Sequence, residues 1–296
     1  MIPAELDEEE GRLVIRKTCP EHGEFKDVYW SDYQLYTKFM QYERPGPHLE
    51  NPRTEERYGC PYDCGLCPNH ETPTVLANID ITNRCNLRCP ICFANAAESG
   101  FVLEPTLEEI RQMMVNLRSN RPFPCPAVQF SGGEPTVRDD LLDIIRMARE
   151  VGFPQVQLAT NGVILANDPS FASRLKEAGL STVYLQFDGV KERPYLIARG
   201  YNALPQKIRA VENCEKAHLG VVLVPTLVKG VNDDQLGGMI DFALEHITVV
   251  RALNIQPESF CGRTNLQDLA KQRITIPEVL DRIEEQTDGR VTKEDF

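Results

Sequence analysis

The residues best equipped for chemistry in this chain are its ten cysteines. Six of them fall into two triads, Cys60-Cys64-Cys67 and Cys85-Cys89-Cys92, which share the spacing C-x3-C-x2-C. That spacing lets three thiolates take three irons of one 4Fe–4S cube and leaves the fourth iron without a protein ligand. A bare iron can accept an amino and a carboxylate group, the pair a methionine moiety offers. A structural zinc would need a fourth side chain to close its tetrahedron, and the nearest histidine after Cys92 is His218. At the first triad two readings stay open on spacing alone. His70, three positions beyond Cys67, completes a Cys3His zinc set, and the triad equally suits an auxiliary 4Fe–4S cluster. Cys125 and Cys214 read as small core residues, and Cys261 as a rim thiol or an auxiliary ligand.

These residues need elements to hold them. With 296 residues, 42% hydrophobic and 26% charged, the chain has an ordinary globular composition. Its net charge of −12 argues against non-specific nucleic-acid binding. No apolar run approaches the roughly 18 residues of a membrane span, and no leader pattern opens the chain. A cytoplasmic location, if anything peripheral to a membrane, is expected. Residues 1–73 lack a regular rhythm and are expected to form a small, irregular, metal-binding module, with a short strand at Leu13–Ile15 and a helix over 30–42. From Thr74 the pattern alternates. Strands are predicted at 75–82, 127–131, 155–160, 182–187, 220–226 and 251–256, and helices at 106–119, 139–151, 170–178, 204–217 and 234–245. Strands separated by helices make a parallel sheet whose active groups collect at the strand C-terminal ends. The expected fold is α/β: a partial (β/α)6 TIM-type barrel over 74–263, followed by the start of a C-terminal extension over 264–296. TNRC, SGGEP, ATNG, FDG and PESFCGR all fall at predicted strand ends. Asn161 and Asp188 there also suit plain caps or turns, and Arg263 reads as a rim cation.

The segment TNRCNLRCPICFANA, with Gly132-Gly133-Glu134-Pro135 after the second strand, resembles the cluster loop and GGEP turn of the radical S-adenosylmethionine (radical SAM) superfamily. The resemblance runs from about Thr74 to Arg263. It implies that Cys85, Cys89 and Cys92 hold a SAM-binding 4Fe–4S cluster and that the glycine pair lets backbone approach the bound methionine, with Glu134 helping to hold its ammonium group. It further implies that Ile91 packs on adenine and that Asn161 and Asp188 line the cofactor. No side chain is assigned an acid–base or nucleophilic role. One electron from the reduced cluster would cleave the sulfonium bond, and a 5′-deoxyadenosyl radical would abstract a substrate hydrogen. A low-potential donor of the ferredoxin or flavodoxin kind is implied as partner.

The ordered trio KTCPEHGEFKDVYWSDY, GCPYDCGLCPNH and TNRCNLRCPICFANA resembles, more narrowly, the archaeal tetraether synthase group and its pterin-methylating relatives. That implies an auxiliary 4Fe–4S cluster at Cys60, Cys64 and Cys67, and a mononuclear iron or zinc site involving Cys19. It also implies a hydrophobic lipid or small-molecule substrate, with carbon–carbon coupling of lipid chains as the leading expectation. Methylation of a pterin or similar cofactor, peptide maturation, and metal binding without catalysis are the alternatives. The group carries a CxxC pair before the CPEHG segment and further cysteines beyond the end of this chain, so a fragment truncated at both ends is expected.

Overall fold

The computed structural model describes residues 2–296 except Pro61, Cys64, Ala97 and 265–268. The irregular opening module is, in its first part, regular. Strands β1 (Ala4–Glu9), β2 (Arg12–Cys19) and β3 (Gly23–Trp30) form an antiparallel meander. Helix α1 (Tyr33–Met40) follows, capped by Asp32, whose carboxylate accepts from Leu35 N. The meander packs toward the C-terminal end of the chain: Ser31 and Thr275 share a 2.7 Å hydrogen bond, Lys38 pairs with Glu294, and Arg273 pairs with Asp27.

The expected barrel follows, as β4 (Leu76–Thr82), α2 (Leu107–Arg118), β5 (Ala127–Gly132), α3 (Leu141–Glu150) and β6 (Gln155–Thr160). Next come α4 (Val163–Asn167), α5 (Phe171–Ala178), β7 (Thr182–Gln186), α6 (Glu192–Arg199), α7 (Leu204–Lys216) and β8 (Gly220–Val224). The chain closes with β9 (Thr226–Leu227), α8 (Leu236–Glu245), β10 (Val250–Leu253), β11 (Gln256–Pro257), α9 (Leu269–Gln272) and α10 (Ile276–Gln286). Six strands lie in the order β10-β8-β7-β6-β5-β4, all parallel, and β9 and β11 pair as a short parallel continuation. Both late strands are thus shorter than their sequence patterns suggest. Helix α2 starts at a reciprocal cap in which Thr106 and Glu109 satisfy each other's backbone N–H, and α10 repeats the device with Thr275 and Glu278.

Strand alternation divides the sheet into two faces. Ile79, Ile81, Val128, Phe130, Val156, Leu158, Val183 and Leu185 join the buried core with the apolar stripes of α2, α3, α5 and α7. Burying each such side chain contributes about 1.5–3 kcal/mol. Cys125 and Cys214 sit in this core, where burial pushes the Cys214 thiol up to about 12. The opposite face carries Asn78, Asp80, Gln129, Ser131, Tyr184 and Gln186, which line a cavity at the strand C-terminal ends. Parallel strands under helices on both faces usually read as apolar runs. Here the inner face sets polar side chains among apolar ones such as Ala159 and Val224, and that difference bears on the substrate.

Candidate active site

The cavity measures about 400 Å³, within the range of small-molecule sites. On its wall stand Cys85, Cys89 and Cys92, Ile91, the Gly132–Pro135 turn and Asn161. Among its described lining residues there is no fourth cysteine and no histidine, so the donor set fits three irons of a cube rather than a closed tetrahedron. Burial pushes the Cys85 thiol up to about 11, with Glu134 and the other two thiols adding to the effect. Such thiols lose their protons when they ligate a metal, and three of them would hold the 4Fe–4S cluster here.

The glycine pair has a steric role within the protein itself. A Cβ on Gly132 would lie 2.1 Å from the Thr82 carbonyl oxygen, and one on Gly133 would lie 2.2 Å from that of Arg84. The pair therefore lets β5 close on the chain leading into the cluster loop. Gly133 N donates to Thr82 O at 2.7 Å and Glu134 N to Arg84 O at 2.8 Å, which staples the GGEP turn to that loop. Glu134 is 1% exposed. One carboxylate oxygen accepts from Thr136 N, Thr136 Oγ1 and Thr160 Oγ1, the other from Asn161 N at 2.7 Å. Its second oxygen keeps room for one further donor, as a role at an ammonium group requires.

Asp188 departs from expectation. It is fully buried, does not line the cavity, and binds Arg199 through two 2.8 Å hydrogen bonds. Burial opposes the charge of Arg199, but the Asp188 carboxylate outweighs it and raises the pKa of the guanidinium. Arg199 does reach the cavity and donates to Ile91 O at 3.1 Å. Asp188 thus acts through Arg199 on the cluster loop. Asn161 lines the wall and donates from its amide to Asn86 Oδ1 at 2.7 Å. Beneath it lies Lys207, buried, with its ammonium on Asn161 O at 2.5 Å and Gln186 Oε1 at 2.9 Å. Burial lowers the pKa of Lys207 to about 8.

Arg263, read from sequence as a rim cation, clamps the loop. Its guanidinium donates to Cys89 O and Ala96 O, each at 3.0 Å, and its backbone exchanges two hydrogen bonds with Cys92. The roles of Arg199 and Arg263 were not legible locally, because each acts across more than a hundred residues of sequence. Cys261 is exposed beside this clamp.

The first triad occupies another place. Cys64 lies outside the described residues; Cys60 is exposed and Cys67 buried. Asp63 organises the loop by accepting from the backbone N–H of Tyr58, Arg57 and Gly59 at 2.6–2.7 Å, which lowers its pKa. The segment is pinned to the C-terminal end of α2: Arg53 N donates to Leu66 O, and the Arg53 guanidinium reaches Asn116 O and Ser119 Oγ. That is the side where the strands begin. Cys67 and Cys85 therefore sit toward opposite ends of β4, a separation on the order of 20 Å for a strand of this length. A group held at Cys67 would lie away from the cavity. The third candidate, Cys19, stands at the β2–β3 turn with its Sγ 3.3 Å from His22 Nδ1.

Comparisons with known proteins agree with this layout. Residues 79–243 match the family model described as the Radical SAM superfamily, and residues 1–31 one described as the HMPTM N-terminal zinc ribbon domain. The zinc ribbon match covers Cys19 and His22. The chain is 59% identical over all its 296 residues to the 7,8-dihydro-6-hydroxymethylpterin dimethyltransferase of Methanocaldococcus jannaschii, and covers 58% of that protein. It is 36% identical over 180 residues to the Fe-coproporphyrin III synthase of Methanosarcina barkeri, covering 58% of this chain and 43% of that one. The chain thus spans little more than half the length of the first of these relatives and less than half of the second. Among solved structures, Streptococcus suis SuiB bound to its precursor peptide SuiA superposes with a TM-score of 0.58 at 13% identity, over 99% of this chain and 71% of that one. The FeFe-hydrogenase maturase HydG of Carboxydothermus hydrogenoformans gives 0.56 at 12%, over 72% and 52%. At such identities these structures share the fold alone. The matched family model, the cysteine triad on the cavity wall and the stapled GGEP turn make the chain a member of the radical SAM superfamily of enzymes, with a 4Fe–4S cluster and S-adenosylmethionine as its cofactors.

Proposed function

We propose that the chain is the radical SAM portion of an enzyme that methylates a pterin or a closely related nitrogen heterocycle. The observation that carries this reading is the set of polar side chains on the inner face of the sheet, Asn78, Asp80, Gln129, Ser131, Tyr184 and Gln186, which line the cavity beside apolar groups such as Leu87, Ile91, Val224 and Pro257. Several of these groups pair with one another or with neighbours, so an isoprenoid tail laid against them is penalised at the acceptors left over, Gln129 Oε1 first, at roughly 1–3 kcal/mol. A flat ring bearing several donors and acceptors meets them. The name of the Methanocaldococcus jannaschii relative supports the same substrate class. The expectation of carbon–carbon coupling on archaeal lipid tails gives way on both counts. Among the described residues no helix is long and apolar enough to cross a membrane.

When bound, the cluster and SAM supply one-electron cleavage of the sulfonium bond and hydrogen abstraction from carbon, driven by a low-potential donor. The protein's own residues place and guard that chemistry. Arg199 and Arg263 hold the carbonyls of Ile91 and Cys89, so the loop keeps its shape. Glu134, fixed by Thr136, Thr160 and the Asn161 amide, presents an ordered carboxylate at the turn.

The test is to reconstitute the full-length protein anaerobically and supply reductant, methyl-deuterated SAM and 7,8-dihydro-6-hydroxymethylpterin. Mass spectrometry should find methylated pterin and 5′-deoxyadenosine in the same mixture; the SAM that is cleaved leaves as methionine with its methyl group intact, so deuterium on the pterin reports a second SAM as the methyl donor. Deoxyadenosine without any methylated pterin, or coupling of an added isoprenoid lipid instead, overturns the reading.

A further inference from the structure

Two buried polar atoms in the described structure have no hydrogen-bond partner, Gln129 Oε1 and Glu258 Oε2, and both belong to residues lining the catalytic cavity. Gln129 is 7% exposed and Glu258 8%. Neither side chain is loose. Gln129 donates its amide to Asn78 Oδ1 at 3.0 Å, which turns its carbonyl oxygen away from that partner. Glu258 receives the Thr264 hydroxyl on Oε1 at 2.6 Å, and its own backbone N–H is fixed on Leu227 O at 2.9 Å. Each is therefore held with one acceptor free. A buried acceptor left unpaired is costly, and native structures retain few of them without a reason. Two in one cavity, both acceptors, are suited to a ligand that brings donors.

Among the described residues, no other acidic side chain at the cavity leaves a buried oxygen without a partner. Glu134 already takes four protein donors. Asp80 takes the Ser131 hydroxyl on one oxygen at 2.5 Å. Asp188, off the wall, is spent on Arg199. A 2-amino-4-oxo pyrimidine ring displays two parallel N–H donors on one edge, a pattern that a carboxylate meets with charge-assisted hydrogen bonds.

We propose that Glu258 is the residue that selects the substrate, by accepting the 2-amino and ring N–H donors of the pterin edge, and that Gln129 Oε1 accepts a further N–H or hydroxyl of the same molecule. This rests on the pterin reading above and deepens it. The role is specificity: a site built to pair a donor rejects an analogue lacking it, because its own buried acceptor is then left bare.

The experiment uses the anaerobically reconstituted full-length protein and equilibrium binding of three probes: SAM, 7,8-dihydro-6-hydroxymethylpterin, and its 2-desamino analogue. Wild type should bind the pterin about 10–100-fold more tightly than the analogue. Glu258→Gln, which keeps shape and volume, should weaken pterin binding by about that factor, erase the preference over the analogue and leave the SAM Kd within about twofold. Gln129→Met should weaken the pterin by about 3–10-fold. Parallel loss of SAM affinity in Glu258→Gln would assign the acceptor to the cofactor and overturn the proposal; so would an unchanged pterin Kd. If Glu258→Gln loses its iron, the wild-type preference decides alone, and equal binding of pterin and analogue overturns it. Wild type that neither binds nor methylates the pterin refutes the functional reading itself, whereas methylation by wild type with an indifferent variant refutes only the role of Glu258.

Discussion

Two stretches of this molecule carry the same C-x3-C-x2-C spacing and are built in opposite ways. The loop of Cys85, Cys89 and Cys92 is enclosed: the GGEP turn is stapled beneath it, Arg199 and Arg263 grip its carbonyls, and it faces a cavity. The loop of Cys60 and Cys67 is tied by Asp63 to its own backbone and by Arg53 to the far end of α2. Cysteine spacing decides what a loop can ligate. The surrounding contacts decide whether what it ligates can meet a substrate.

The largest contrast should come from the thiols themselves. Replacing Cys85, Cys89 or Cys92 with alanine should abolish 5′-deoxyadenosine formation in the reconstituted protein, since a cube that loses a ligand there no longer presents SAM to the cavity. Replacing Cys60 or Cys67 should lower total metal while leaving reductive SAM cleavage within a few-fold of wild type. Metal analysis together with chromatography of deoxyadenosine distinguishes the two sets, and equal losses in both would erase the contrast.

A glycine beside each loop sharpens the same comparison. Gly133→Ala would drive a methyl group into the Arg84 carbonyl, 2.2 Å away, and should cost about 3 kcal/mol or more with loss of bound iron. Gly59→Ala meets nothing within 4 Å but sits at φ +77°, so only the backbone conformation opposes it, at about 1–2 kcal/mol. Denaturant midpoints and iron content measure both.

The two regions should also answer pH in different windows. Lys207, under the catalytic rim, has its pKa lowered by burial from 10.5 to about 8. Between those values the folded state holds fewer protons than the unfolded state. Stability therefore rises with pH across that window, is complete above 10.5, and is lost as pH falls toward 8. At 1.36 kcal/mol per pKa unit the rise is about 3 kcal/mol, and Lys207→Met should flatten it in urea titrations. Asp63, on the other loop, has its pKa held below 3.8 by three backbone N–H groups. Its contribution is present above that value and fades as pH falls through the lowered one. Protection of the Tyr58 and Gly59 amides from hydrogen exchange, relative to their intrinsic rates, should fall there in wild type and be low at every pH in Asp63→Asn.

How much of this the sequence disclosed depended on the range of each interaction. The gathering of Cys85, Cys89, Cys92 and the GGEP turn at one rim, and the sheet strands, were legible because spacing and alternation are local signals, and most strand ends fell within one or two residues. The meander was missed except at Leu13–Ile15: β1 (AELDEE) and β3 (GEFKDVYW) are charged and largely exposed, so they lack an apolar alternation. Helix α6 was missed because Pro194 in its first turn reads as a breaker, although proline is tolerated there. The polar faces of β4, β5 and β7 were written plainly in Asn78, Asp80, Gln129, Ser131, Tyr184 and Gln186. Their bearing on substrate emerged only when the strands curved around one cavity. Asp188 shows the limit most clearly: its position after β7 suggested the cofactor, and only the packing of α6 gives it to Arg199.

The most direct test of the whole is electron–nuclear double resonance on the reduced full-length protein with SAM labelled by nitrogen-15 at the amino group and oxygen-17 at the carboxylate. The account predicts hyperfine coupling to both labels, retained when Cys60 and Cys67 are replaced and lost when Cys85 is. Absence of coupling in wild type, or coupling that survives removal of Cys85, would contradict it.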